Sequence, residues 1–150
     1  MNNKYQWIDD FIAGLFELYK TLNIYELYDE LCITIKKLPK ENILFQGNEA
    51  LYYRNYDGME IVFIRNDLDI HYEKFVLAHE LAHAIIHVDI YNAAFNKNLI
   101  NIGKLDKQAN YFALKLLNIN LFDKDFEDLT IEQIARALYL PKKWLLNILE

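Results

Sequence analysis

The chain has 150 residues, 53% apolar and 15% aromatic, with four Gly and two Pro; this is the make-up of one packed domain and excludes a disordered or collagen-like polypeptide. Sixteen basic residues against 22 acidic ones leave a net charge of −6, which repels phosphate backbones, argues against direct nucleic-acid binding and suits a basic protein partner. Apolar runs such as residues 61–64 and 75–78 fall far short of the roughly 20 needed to cross a bilayer, the polar opening Met1 to Tyr5 followed by Asp9 and Asp10 does not read as a leader, and Cys32 has no internal disulfide partner. The expected setting is therefore a reducing cytoplasm, with no membrane partner.

The first periodic segment places Ile8, Phe11, Ile12, Leu15, Leu18, Tyr19 and Leu22 on one helical face. Asn23 with Glu26 has N-cap spacing and starts a second helix carrying Ile24, Leu27, Tyr28 and Leu31. Ile33 and Ile35 then alternate with Thr34 and Lys36, a strand ended by Pro39. Two further strands, residues 50–54 and 59–65, are joined through Asp57-Gly58, a hairpin signal because the turn needs positive φ. Residues 43–46 are a candidate fourth strand.

Beyond Asp67 the pattern predicts a helix over about residues 70–90, apolar nearly all round and so destined for the interior. An asparagine-rich connection, residues 92–103, is a candidate rim over a cleft and equally an ordinary surface loop. Another helix follows over about residues 104–118, aligning Leu105, Ala109, Phe112, Ala113, Leu116 and Leu117. After an acidic loop, Thr130-Ile131-Glu132-Gln133 forms a capping box, and two short helices close the chain, the second starting near Pro141. The order is α+β: a small antiparallel sheet packed against helices. No linker or repeat divides it, so residues 1–150 are expected to form a single domain, with 121–150 as a helical extension.

Three of the four histidines lie in one short stretch, His79-Glu80-Leu81-Ala82-His83 and then His87. Histidines at i and i+4 differ by about 40° around a helix and about 6 Å along it, so both rings can reach one metal ion. Neutral imidazoles suit Zn2+, and Glu80, one step around, can take a proton from water that the metal acidifies. This is the H-E-x-x-H arrangement of zinc hydrolases. The competing reading, histidines satisfied within an apolar core, requires two imidazoles and a carboxylate to be desolvated without a cation.

Such a site needs a third protein ligand and an open position. His87 would lie about 12 Å above His79 along an unbroken helix, which favours packing or support of a ligand over ligation. Asp89 would point away. A better donor is Asp106, the first acidic residue of the following helix, with Asn110 on the same face to hydrogen-bond a ligand; Asp106 also reads as an ordinary first-turn aspartate. For an oxyanion donor, His87, Tyr91 and Tyr111 are the candidates.

The stretch from His79 to His87, followed by Asp106-Lys107-Gln108-Ala109-Asn110-Tyr111-Phe112-Ala113-Leu114-Lys115-Leu116-Leu117, resembles the ImmA/IrrE family of small zinc metallopeptidases. That family shows H-E-L-G-H near E-x-x-A-N/D-x-F-A-x-x-L-L. With the hairpin and the Phe75-Val76-Leu77-Ala78 lead-in, the likeness covers about residues 25–118. It implies a thermolysin-like zinc site held by His79, His83 and Asp106, with Glu80 catalytic. Asp106 stands where the family usually has glutamate, so its helix must approach more closely. Ala82 replaces the usual glycine, and Asn118-Ile119-Asn120 a common proline. The resemblance further implies a zinc endopeptidase of the phage or mobile-element type, an anti-repressor that cleaves a helix-turn-helix repressor. The alternative is a zinc-binding anti-repressor that occludes its target without cutting it. A third reading, DNA binding by the C-terminal helix pair, is opposed by its few basic residues.

Overall fold

The computed structural model describes residues 3–87 and 102–149. Asp89, Tyr91 and the connection from 92 to 101 lie outside the described residues. The first helix, α1 (Gln6–Tyr19), buries Ile8, Ile12 and Leu15, one per turn, and ends with Lys20 in the left-handed conformation. Leu18, expected on the same face, is 70% exposed, because it falls to the side of the stripe that Ile8, Ile12 and Leu15 form around the helix. At α2 (Ile24–Glu30), Asn23 accepts hydrogen bonds from the Tyr25 and Glu26 N–H groups, satisfying donors the helix itself cannot pair.

The sheet holds three strands in the order β1 (Ile33–Leu38), β3 (Glu60–Arg65), β2 (Ala50–Arg54). The hairpin between β2 and β3 is antiparallel, with Gly58 at φ 85° in its turn. β1 pairs with the other side of β3 in parallel, Ile33 opposite Glu60 through Leu38 opposite Arg65. The sheet is therefore mixed rather than antiparallel. Alternation of side chains sets which face is apolar, and it carries no information about which strand lies beside which. Residues 43–45 are not a strand but a single 3-10 turn (Ile43–Phe45): the Asn42 side chain accepts from the Leu44 N–H, and only Phe45 turns inward.

From the middle strand, Val62 and Ile64 are fully buried beneath α3 (Ile70–Ile85), which starts at Asp69, whose side chain accepts from the His71 N–H. Eleven of the sixteen residues of α3 are buried. It lies between the sheet and α4 (Ile102–Leu116), whose Ala109, Phe112 and Ala113 are fully buried against it. The buried Tyr28 hydroxyl donates to the Leu77 carbonyl, 2.6 Å away, and locks α2 to α3. The capping box at Thr130 and Gln133 opens α5 (Ile131–Leu138). Past Tyr139 in the left-handed conformation the chain turns into α6 (Lys142–Leu149), which packs on α4 and α5. No described helix is long and apolar enough to cross a membrane.

Candidate metal centre

His79 and His83 lie one turn apart on α3, both with less than a tenth of their surface exposed, and Asp106 comes from the first turns of α4. The α3–α4 packing brings the three side chains to one point. His79 Nε2 and His83 Nε2 are 3.1 Å apart, and Asp106 Oδ1 is 3.6 Å from the first and 3.5 Å from the second. A tetrahedral first-row ion with bonds of about 2.0–2.1 Å separates its donors by roughly 3.3–3.4 Å. The triangle matches that spacing, and two nitrogens and a carboxylate oxygen are donors that a borderline divalent ion accepts. The residues fit a metal. Asp106 reaches despite its shorter side chain because small residues of the two helices, Ala82 and Ala109 among them, are fully buried in their packed interior.

Each imidazole is oriented from behind. His79 Nδ1 donates to Asn110 Oδ1 at 2.7 Å; Asn110 is fully buried, and its own amide nitrogen donates to Asn147 Oδ1 on α6, also at 2.7 Å. That second bond fixes which way the Asn110 amide faces, so its oxygen is presented to His79. The proton on His79 is thereby kept at Nδ1 and the lone pair at Nε2. His83 Nδ1 lies 3.0 Å from His87 Nδ1. His87 itself stands outside the donor triangle.

Burial resists the charge on both ligand rings. At His79 it is outweighed by Asp106, Glu80 and Asn110, and the pKa is raised. At His83 burial dominates, helped by the neighbouring His79 and His87, and the pKa falls to about 4. The two rings are thus shifted in opposite directions. Burial also acts against the Asp106 carboxylate, but the two imidazoles beside it outweigh burial and hold the group well below the usual range.

Glu80 follows His79 on α3 and lines the same cleft, a cavity of about 250 Å³ between α3, β2 and α6. Burial raises its pKa, with Asp106 and Glu49 adding to the effect; His79 and the backbone N–H of Tyr52, which donates to the carboxylate, oppose it. The Tyr52 amide is available for this because β2 is an edge strand. Glu49 and Asn55 direct their backbone groups into the sheet, so by alternation Tyr52 directs its own away from β3. Trp144 of α6 lines the cleft as well, its ring edge-on to both His79 and Phe75. Its Nε1 donates to the Tyr72 hydroxyl at 2.8 Å.

Of the candidates read from the sequence, His79, Glu80, His83, Asp106 and Asn110 converge here. Tyr111 does not: its hydroxyl donates to Asp9 on α1, 2.9 Å away. Tyr52, Trp144 and Asn147 carry no signal in spacing or motif, since they reach the site only through the packing of the sheet edge and the C-terminal helix.

Comparison with known proteins identifies the family. The model of the IrrE N-terminal-like domain, peptidase family M78, matches residues 31–149. Metallopeptidase ImmA of Bacillus subtilis (strain 168) is 29% identical over 138 residues, which cover 87% of this chain and 76% of that protein. A matched region that takes in the histidine pair, the aspartate and the helix behind them places the chain in the ImmA/IrrE family of metallopeptidases.

Proposed function

We propose that the protein is a zinc-dependent endopeptidase with a thermolysin-like site, and that its substrate is a helix-turn-helix repressor of a phage or mobile element. The observation that carries the reading is the donor triangle of His79, His83 and Asp106 with Glu80 beside it in an open cleft. Bound zinc supplies Lewis acidity, which polarises a peptide carbonyl and acidifies water. His79, His83 and Asp106 hold it, and their partners keep the two Nε2 lone pairs directed at it. A Glu80 carboxylate oxygen takes a proton from water as the water oxygen bonds to the carbonyl carbon. The same oxygen then passes the proton to the departing amine nitrogen as the C–N bond breaks. Tyr52 N–H holds the carboxylate in place throughout.

The substrate class rests on the family resemblance, and charge is compatible with it. Glu49, Glu80 and Asp106 line the cleft and the chain carries −6 overall, a field that draws a basic segment such as a DNA-binding domain presents. Direct DNA binding through α5 and α6 has little to recommend it: Lys142 pairs with Glu132 and Lys143 with Glu49. Because the Asp106 oxygen reaches the imidazoles, its shortness gives no reason to prefer occlusion over cleavage.

Incubating the zinc-loaded protein with the repressor encoded beside its gene tests the proposal. Fragments that form with zinc and stop forming with a chelator are the expected result. A stable complex with the repressor uncut would replace cleavage by occlusion.

A further inference from the structure

His87 donates nothing to the metal triangle, yet it is 2% exposed and both its ring nitrogens are engaged. His87 follows His83 by four residues, and Ile86, in the αR conformation with its N–H bonded to the Ala82 carbonyl, carries the helical path of α3 almost to it. Its Nδ1 lies 3.0 Å from His83 Nδ1, and its Nε2 lies 2.9 Å from Gln108 Oε1 on α4. A neutral imidazole has one N–H donor and one lone-pair acceptor. The amide oxygen of Gln108 only accepts, so the His87 proton sits on Nε2. His87 Nδ1 is then the acceptor, and His83 Nδ1 must be the donor. The His83 proton is therefore held on the nitrogen facing away from Asp106, leaving the lone pair of Nε2 directed at the metal position. Turning the Gln108 amide around would reverse every donor in this chain and put a proton on the metal-facing nitrogen.

We propose that Gln108 and His87 form a positioning relay that fixes His83 in its metal-accepting tautomer, with the Gln108 side-chain oxygen setting the direction. The relay is separate from the Asn147–Asn110 pair that serves His79, and it deepens the metal-site reading on which it rests. It also gives the third histidine a role that ligation does not: its ring carries tautomer information from the surface of α4 to a buried ligand.

The test reads tautomers directly. Nitrogen–proton correlation spectra of metal-free, 15N-histidine protein, at mildly alkaline pH where imidazoles are neutral, are expected to show His83 protonated at Nδ1 and His87 at Nε2. Gln108→Met keeps the side-chain length and removes the acceptor. It is expected to abolish both preferences and to weaken zinc binding, measured by chelator competition, by about 10- to 100-fold. Gln108→Glu restores an oxygen acceptor and is expected to keep both tautomers, with zinc affinity no weaker than wild type. Finding His83 protonated at Nε2 in the wild type, or a Gln108→Met protein with unchanged tautomers and affinity, would overturn the relay. A wild-type protein that takes up no zinc would instead reject the metal site, and the metal-free spectra would still decide the relay.

Discussion

The indole of Trp144 meets the imidazole of His79 edge to face, with ring centroids 5.0 Å apart and planes at 66°. The last helix of the chain is thus part of the wall of the site. The contact desolvates one side of a proposed metal ligand and limits its rotation. Trp144→Ala is expected to cost roughly 2–4 kcal/mol of stability, below the full range for a buried Trp because this one is partly exposed. Urea denaturation measures the cost. Trp144→Phe, which keeps an edge and loses the bond to Tyr72, should recover most of it.

Asn147 acts on the same ligand from further back. Asn147→Leu leaves the fully buried Asn110 amide without its acceptor and free to turn, which should weaken zinc affinity by about 10- to 100-fold. Asn147→Asp still accepts from Asn110 Nδ2 and should retain tight binding. Equal affinities for the two variants would show that the Asn110 amide needs no fixing.

Asp106 is the anionic member of the proposed donor set. Asp106→Ala should weaken zinc affinity by more than the ~100-fold that losing an outer hydrogen-bond partner costs. Asp106→Glu should bind zinc, since the aspartate side chain is 42% exposed and the cleft has room for an added methylene. Metal content per chain, measured after dialysis, separates these outcomes.

In the proposed mechanism Glu80→Gln removes a proton carrier and no ligand. Zinc content should stay at the wild-type level while cleavage falls by about 10²- to 10⁴-fold. A variant that still cut at the wild-type rate would take Glu80 out of the reaction.

The opposite shifts of the two ligand rings predict how metal binding depends on pH. Below its raised pKa, His79 holds a proton that zinc must displace, whereas His83, with a pKa of about 4, is already neutral above that value. Zinc affinity should therefore weaken by about tenfold per unit as pH falls below the His79 pKa, down to about pH 5, the slope of a single proton. Competition with a chelator across this range checks it. A slope of two protons would mean that His83 titrates there as well.

How far the sequence led depended on how local each feature is. The pairing of His79 with His83 follows from helix geometry alone, and the pattern of apolar residues from 72 to 85 marked their helix as interior. Asp106 needed a neighbouring helix to be placed, and its selection leaned on the two-motif resemblance. Strand partners were not legible, because Ile33 and Ile35 alternate in the same way whether β1 runs with β3 or against it. The 3-10 turn at residues 43–45 was missed because a side-chain acceptor at Asn42 outweighs the β preference of a three-residue run. Helix spacing also sets His87 beyond the donors, and its ring meets His83 rather than the donor triangle.

The bond from the Tyr52 main chain to Glu80 makes position 52 unusual in what it tolerates. Since the amide rather than the ring holds the carboxylate, other side chains that fill the half-buried place of this ring against the core would leave the base where it is. Proline alone lacks that hydrogen, and a single codon change to it would free Glu80 without altering any residue of the histidine motif.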